Sequence, residues 1–483
     1  MLSEVPWAAV GSVTFHACVA VGLSMRVIAR RTSTEVALSW IVLVVAFPVL
    51  GAVCYVLVGE PWLSSHRSVR RAGIARQVRE PIAQLEGRFG HRALFEHPAA
   101  RAVGALGHAT GISPSLGGNR VEILADADAF FGRLIADIDE ASTACDLLFY
   151  IWSGGGRVDD VADALVRASE RGVACRVLVD AVGGRGLLRS EEGARLRRAG
   201  IELRTALPVG FVRGRFSRVD IRNHRKLAIL DDRVAYTGSQ NMADPRLFMR
   251  GSGVGPWVDL MARLEGPSAA QLGALFEIDW AMEDRDDVDV SGWLDGAAAV
   301  GDDVVQVVPS GPGQHPSALY RMLAAAVHGA QRRLIMTTPY FVPDDAFVSG
   351  LVSAAMRGVE TTVVVPAKID GPLVRLASRA YYDDLLDAGV SVLAYEGGLL
   401  HTKTVAVDDD LGIIGTVNLD RRSFWINYEL SLVVHAGDAV RDLACVLQRY
   451  IEDSVPVCET DWMRRGPVTR FSENVARLFS PIL

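Results

Sequence analysis

At 483 residues the chain exceeds one ordinary domain and points to two large ones with an addition. Half of its residues are hydrophobic and its net charge is −7, so it has no global basic field to gather nucleic acid. Its six cysteines are scattered with no C-x-x-C spacing, which excludes a zinc ribbon or disulfide framework and reads as reduced, buried thiols.

The apolar excess lies at the start. Residues 5–27 are apolar apart from His16, a few small polar residues and Arg26. No basic residue precedes them, which favours a retained span over a cleaved signal. Residues 36–58, "VALSWIVLVVAFPVLGAVCYVLV", carry no charge over 23 positions, where about 20 suffice to cross a bilayer core. Pro48 is tolerable in such a helix, and Trp40 and Trp62 suit the two interfaces. The expectation over 1–60 is therefore a two-helix transmembrane hairpin. Arg26, Arg30 and Arg31 lie between the spans and Arg67, Arg70, Arg71 and Arg76 follow them, a balance that leans toward a cytoplasmic body. An arginine-rich juxtamembrane connection follows over 61–112.

Beyond it one pattern occurs twice. "RVEIL" (120–124), "CDLLFYIW" (145–152), a helix over 158–173 and "CRVLVDA" (175–181) form the first copy. "DVVQVVP" (303–309), "RRLIMTTPYF" (332–341), a helix over 343–359 and "ETTVVVPA" (360–367) form the second. Strand-length apolar runs alternating with helix-period segments argue α/β layering, and repetition at this scale means tandem domains. The expected domains are 113–283 and 303–483, joined by a Gly- and Asp-rich linker over 284–302.

Each copy ends in the same motif. His224-x-Lys226 is followed by Asp231 and "GSQN" ending at Asn241; His401-x-Lys403 is followed by Asp408 and "GTVN" ending at Asn418, at identical spacings. Of 50 basic residues only three are lysines, Lys226, Lys368 and Lys403, so two of the three sit in these motifs. Alternate strand residues face one side, so each imidazole and ammonium project together. Such a pair is costly as buried core and apt as an anion site. A compact ammonium also fits beside a reacting phosphorus where a guanidinium fork is wide. Asp231 and Asp408 fall where the strand should turn, and a turn role and a site role both remain open. Asn241 and Asn418 follow tight turns and can reach a phosphate oxygen. A catalytic imidazole needs an acceptor on its second nitrogen; Glu429 and Asp259 are candidates, and either is also readable as an ordinary surface carboxylate. No metal-ligand spacing accompanies the histidines.

These motifs, with "FYIWS", "WVDLMARLEGP", "PYFVPDD" and "NLDRRSFWINYEL", resemble the phospholipase D superfamily, and more narrowly its bacterial cardiolipin synthase branch. One departure is "GSQNMADPRLFMRG": Asp244 is kept, but Pro245 and Arg246 replace an acidic-aromatic pair usual in that branch. The resemblance implies two tandem phospholipase D-like domains, each a mixed sheet flanked by helices, related by a pseudo-twofold after the membrane hairpin. It implies a multi-pass protein of the bacterial inner membrane acting on an anionic phospholipid, phosphatidylglycerol, with no cofactor, metal or nucleic acid; an oligomer is left open. His224, Lys226, Asp231, His401, Lys403 and Asp408 would form the catalytic constellation and Asn241 and Asn418 would bind phosphate. Asp259 and Glu429 would orient the histidines. The implied reaction is two-step phosphatidyl transfer through phosphohistidine, His224 as nucleophile and His401 as acid, an order the residues alone do not fix. Hydrolysis, or transfer to another alcohol, would use the same motifs. A nuclease is disfavoured by the acidic charge and the membrane segment, and an inactive scaffold by two intact motifs.

Overall fold

The computed structural model describes residues 7–30, 34–55, 59, 65–91, 95–109, 114–208, 220–283, 288, 296–312 and 318–480. They fall into two compact units, residues 1–65 with 209–221, and residues 66–208 with 222–483.

In the first unit α1 (Trp7–Ala29) is long and apolar enough, over Gly11–Ala29, to cross a membrane. The second expected span is corrected. It divides into α2 (Thr34–Ala46) and α3 (Pro48–Cys54), of 13 and 7 residues, each too short to cross. The cause is local. Proline bars its predecessor from helical geometry, and Phe47 sits at φ −136°, ψ 72°. Both short helices pack on α1. Trp62 and Arg31 lie outside the described residues.

The second unit opens with a further difference. The expected connection is largely helical, with α4 (Ser65–Phe89) and α5 (Pro98–Ala109). Three of the arginines counted for orientation serve the protein itself. Arg67 pairs with Glu283 at 2.6 Å, Arg70 donates to the Ala281 carbonyl, and Arg71 is buried against Asp279 and the Tyr428 ring.

The body is one mixed sheet of fifteen strands. The first half supplies β1 (Ser115–Leu124), β2 (Ala144–Phe149), β3 (Ala174–Asp180), β4 (Glu202–Ala206), β5 (Lys226–Leu230), β6 (Val234–Gly238) and β7 (Met261–Glu265). The second supplies β8 (Asp303–Ser310), β9 (Arg333–Thr337), β10 (Glu360–Pro366), β11 (Ser391–Tyr395), β12 (Thr404–Val407), β13 (Leu411–Gly415), β14 (Glu429–His435) and β15 (Ser454–Pro456). Outward from the junction the first half runs 1-7-6-5-2-3-4 and the second 8-14-13-12-9-10-11-15, so seven strands correspond in order and β15 is extra. The halves join where β1 pairs antiparallel with β8 across a bulge between Leu116 and Asn119. Strands such as β5, β6 and β14 are buried at every residue, because helices cover both faces. Within the expected linker, residues 284–287 and 289–295 lie outside the described residues. All six cysteines are free: Cys145 and Cys175 are buried, but Cys18, Cys445 and Cys458 are exposed, against the expectation of buried thiols. Scattered spacing says nothing about which helix face a thiol occupies.

Candidate active site

The His–x–Lys triplets sit at the mouths of their strands. Lys226 is the first residue of β5, and Lys403 lies one residue before β12. Ahead of each strand the backbone leaves its own half and pairs with the other. Asn223 bridges Tyr428, and the His224 N–H donates to the Tyr428 carbonyl at 2.9 Å. In the second half Leu399–Leu400 pairs with Trp257–Val258, and the His401 N–H donates to the Val258 carbonyl at 2.7 Å. The residue after each of these carbonyls is a carboxylate, Glu429 or Asp259.

Each imidazole therefore meets a carboxylate of the opposite half. His401 Nδ1 lies 2.7 Å from Asp259 Oδ1, and His224 Nδ1 lies 3.0 Å from Glu429 Oε1, with the Asn427 amide at 3.3 Å. At His401 the Asp259 acceptor places the proton on Nδ1 and leaves the Nε2 lone pair free. One aromatic ring stands by each imidazole at 4.3 Å between centroids, Tyr150 at His224 and Trp257 at His401. Both ammoniums turn back to the carbonyl of their own histidine, Lys226 to His224 at 2.6 Å and Lys403 to His401.

Burial governs the charges. It pushes Lys226 down to about 8, against the opposing pull of Glu429, Asp259 and Asp180. It pushes Lys403 down to about 7, with Lys226 adding to the drop. His401 is lowered to about 4 by burial and by Lys403 and Lys226, Asp259 opposing them. Despite its burial, Asp259 is held near 2 by His401 and Lys403. Lys226, from the first half, acts on both His401 and Lys403 of the second, so the two motifs share one electrostatic neighbourhood. Among the described residues no cluster of three or more metal-ligating side chains occurs.

The Gly-Ser and Gly-Thr turns have a function that sequence reading missed. The Thr416 hydroxyl donates to Glu429 Oε2 and accepts the Leu430 N–H at 2.9 Å. The Ser239 hydroxyl accepts the Leu260 N–H at 3.0 Å, lies 3.3 Å from the Leu260 carbonyl and helps keep Asp259 low. The two hydroxyls thus brace the backbone beside the two carboxylates, and their matched place in both motifs was the available signal. The preceding glycines are set by close approach: a Cβ at Gly238 would collide with the Leu260 carbonyl, and one at Gly415 with that of Leu430.

The asparagines and aspartates of the motifs differ in placement. Asn241 and Asn418 are buried just past β6 and β13. Asn241 Oδ1 accepts the Ile151 N–H at 3.2 Å, while Asn418 Oδ1 has no hydrogen-bond partner among the described residues. Of the two roles left open for Asp231 and Asp408, their positions favour the turn: both lie at the far ends of β5 and β12, about 16 Å along the chain from the lysines. Asp231, at φ 53°, accepts the N–H groups of Ser142, Thr143 and Ala144. Asp408, at φ 52°, accepts those of Gln331, Arg332 and Arg333 and meets His97 at 2.6 Å. They fasten the start of the neighbouring strand, which is the turn role. Arg225 was also missed. Fully buried, it pairs with Asp279 at 2.6 Å and donates to the Glu429 carbonyl at 3.0 Å, bracing the oriented carboxylate from behind. Its counterpart Thr402 carries no charge and meets the Thr337 hydroxyl at 2.8 Å, so the halves differ here.

Comparison with known proteins agrees with this geometry. A family described as "Cardiolipin synthase, PLD-like domain" matches residues 134–250 and 323–451, and one described as "Phospholipase D-nuclease N-terminal" matches 18–60. Cardiolipin synthase A of Pectobacterium atrosepticum is 38% identical over 472 residues, 96% of each chain. That of Serratia proteamaculans is 38% identical over 469 residues, again 96% of each. The crystal structure of phosphatidylserine synthase from Haemophilus influenzae Rd KW20 covers 78% of this chain and 99% of its own, with a TM-score of 0.58 and 13% identity, a likeness of fold. The full-length matches and the paired His–x–Lys motifs establish that the chain belongs to the cardiolipin synthase family of phospholipase D-like phosphatidyltransferases.

Proposed function

We propose that the chain joins two phosphatidylglycerols into cardiolipin and glycerol through a phosphohistidine. The observation that carries this reading is the pair of imidazoles, each held at Nδ1 by a carboxylate of the opposite half, with both ammoniums beside them. Nε2 of His224 attacks phosphorus, the bond to the headgroup glycerol oxygen breaks, and His401 donates its Nε2 proton to that oxygen. Glycerol leaves. The free primary hydroxyl of a second phosphatidylglycerol then gives its proton to His401 and attacks phosphorus, and the P–N bond breaks to restore His224. Lys226, Lys403, Asn241 and Asn418 stabilise the charge on the equatorial oxygens. An arriving phosphodiester anion draws the lysines back to the charged form and raises His401 toward the protonated form an acid requires.

The burial of His401 supports the reverse order as a second reading: lowered to about 4, it is neutral at pH 7, as a nucleophile must be. Rapid quenching with labelled phosphatidylglycerol and mapping of the labelled histidine peptide separates the two orders. We further propose domains at 113–283 and 303–483, supported by the matched strand orders, and anchoring by α1 in a bacterial cell membrane with the body cytoplasmic. The deciding experiment is the purified chain with phosphatidylglycerol vesicles. Cardiolipin and glycerol formed one to one support the reading; phosphatidic acid as the main product means hydrolysis and overturns it.

A further inference from the structure

The helix Pro467–Arg477 near the end of the chain is built inside out. An amphipathic helix on a water-soluble body turns its apolar stripe to the core. Here the inward residues are the small Ala476 and the charged Glu473, each 2% exposed, and Glu473 is held at 2.6 Å by both Arg379 and Arg465. The outward residues are Val468 (77% exposed), Phe471 (70%), Val475 (38%) and, just past the helix, Leu478 (75%). Their spacing of three, four and three residues lays them in one stripe. The buried carboxylate and its two guanidiniums fix the helix in this orientation, so the stripe cannot roll inward without leaving charges unpaired.

Its place in the fold gives the stripe a direction. The helix packs on Pro372–Arg379, which follows the carboxyl end of β10. That end lies beside Thr337 of β9, which faces Thr404, the residue after Lys403. The stripe is thus carried on the end of the sheet where the motifs meet. On the neighbouring helix Leu373 (40% exposed) and Arg375 also face solvent.

We propose that this helix is a second membrane contact, with its stripe lying among the acyl chains at the surface of an anionic phospholipid bilayer. An exposed apolar stripe fixed on a helix at the lipid-using end of the body, with the exposed Arg375 on the helix it packs against, has the chemistry of an interfacial contact. The contact holds the active end of the body against the lipid it draws on, and to that extent it rests on the lipid-transfer reading.

The test uses the full chain in phosphatidylglycerol proteoliposomes, with Cys18, Cys445 and Cys458 replaced by serine. An NBD fluorophore is placed on Phe471→Cys, on Leu478→Cys, and on Glu360→Cys at the opposite end of β10. Doxyl-labelled lipid should quench the first two strongly and the third little. Unquenched labels at 471 and 478 overturn the proposal, as does shielding that instead follows protein concentration in detergent and reveals a second copy. The quenching reads docking even if no cardiolipin forms, so failure of the lipid-transfer reading is separately visible. In parallel, Phe471→Glu with Leu478→Glu should lower turnover on bilayer phosphatidylglycerol about tenfold or more, the scale of losing one or two buried apolar side chains. Turnover on monomeric short-chain phosphatidylglycerol should be unchanged. Equal loss on both substrates overturns the proposal.

Discussion

Lys403→Met should make the protein more stable while abolishing turnover. Lys403 is buried, and its ammonium, ordinarily near 10.5, is held at about 7 chiefly by desolvation. At roughly 1.4 kcal/mol per pH unit, keeping this lysine costs the fold on the order of 4 kcal/mol at neutral pH. Methionine fills a similar volume without charge. It forfeits the hydrogen bond to the His401 carbonyl, worth about 1 kcal/mol. The expected net gain is therefore about 2–4 kcal/mol at pH 7. The sign follows from the folded pKa being below the unfolded one. Between pH 7 and 10.5 the unfolded chain binds the extra proton, so the penalty is full below about 7 and fades as pH rises toward 10.5. Urea or thermal unfolding in detergent at pH 7 and pH 10 measures it, with phosphatidyl transfer assayed alongside. A variant no more stable than the parent at pH 7, or one whose gain is the same at both pH values, refutes the reasoning.

Lys226→Arg and Lys403→Arg should each lower transfer about 10²–10³-fold with the fold retained, because a fork replaces a compact head beside the reacting phosphorus. Lys368→Arg, outside both motifs, should be mild in the same assay. Asp259→Asn should perturb the ¹⁵N resonances of His401 and leave those of His224, and Glu429→Gln should do the reverse, with transfer falling in both; the opposite pattern would contradict the crossed pairing. Asp231→Ala should cost about 1–3 kcal/mol in unfolding measurements yet leave the turnover of the folded fraction near normal. Asp231 is held near 2 by the Ala144, Ser142 and Thr143 hydrogen bonds against its burial. Its contribution is thus present above the ordinary carboxylate range and lost as pH falls toward 2. Transfer should also survive exhaustive chelation; activity restored by one divalent ion would show that imidazole and ammonium do not suffice.

The two halves, their strand content and the two His–x–Lys motifs were legible because periodicity and spacing are local properties of a chain. The concentration of two of the three lysines in those motifs was legible too, since it is a count of residue types. Periodicity says which way a side chain faces and not which strand lies beside it. Glu429 and Asp259 could be named as acceptors, but only the tertiary structure pairs Glu429 with His224 and Asp259 with His401. That crossing arises where the chain ahead of β5 and β12 borrows hydrogen bonds from the other half. The same limit explains Asp231 and Asp408, which share a motif with the lysines yet stand a strand's length away, where the backbone reverses. It explains Ser239 and Thr416, whose partners lie on the next strand of the sheet. At Pro48 composition suggested a single span, and the break came from a backbone clash that hydropathy does not record. Local chemistry chose the groups; long-range strand pairing, driven by burial of both sheet faces, chose which of them meet.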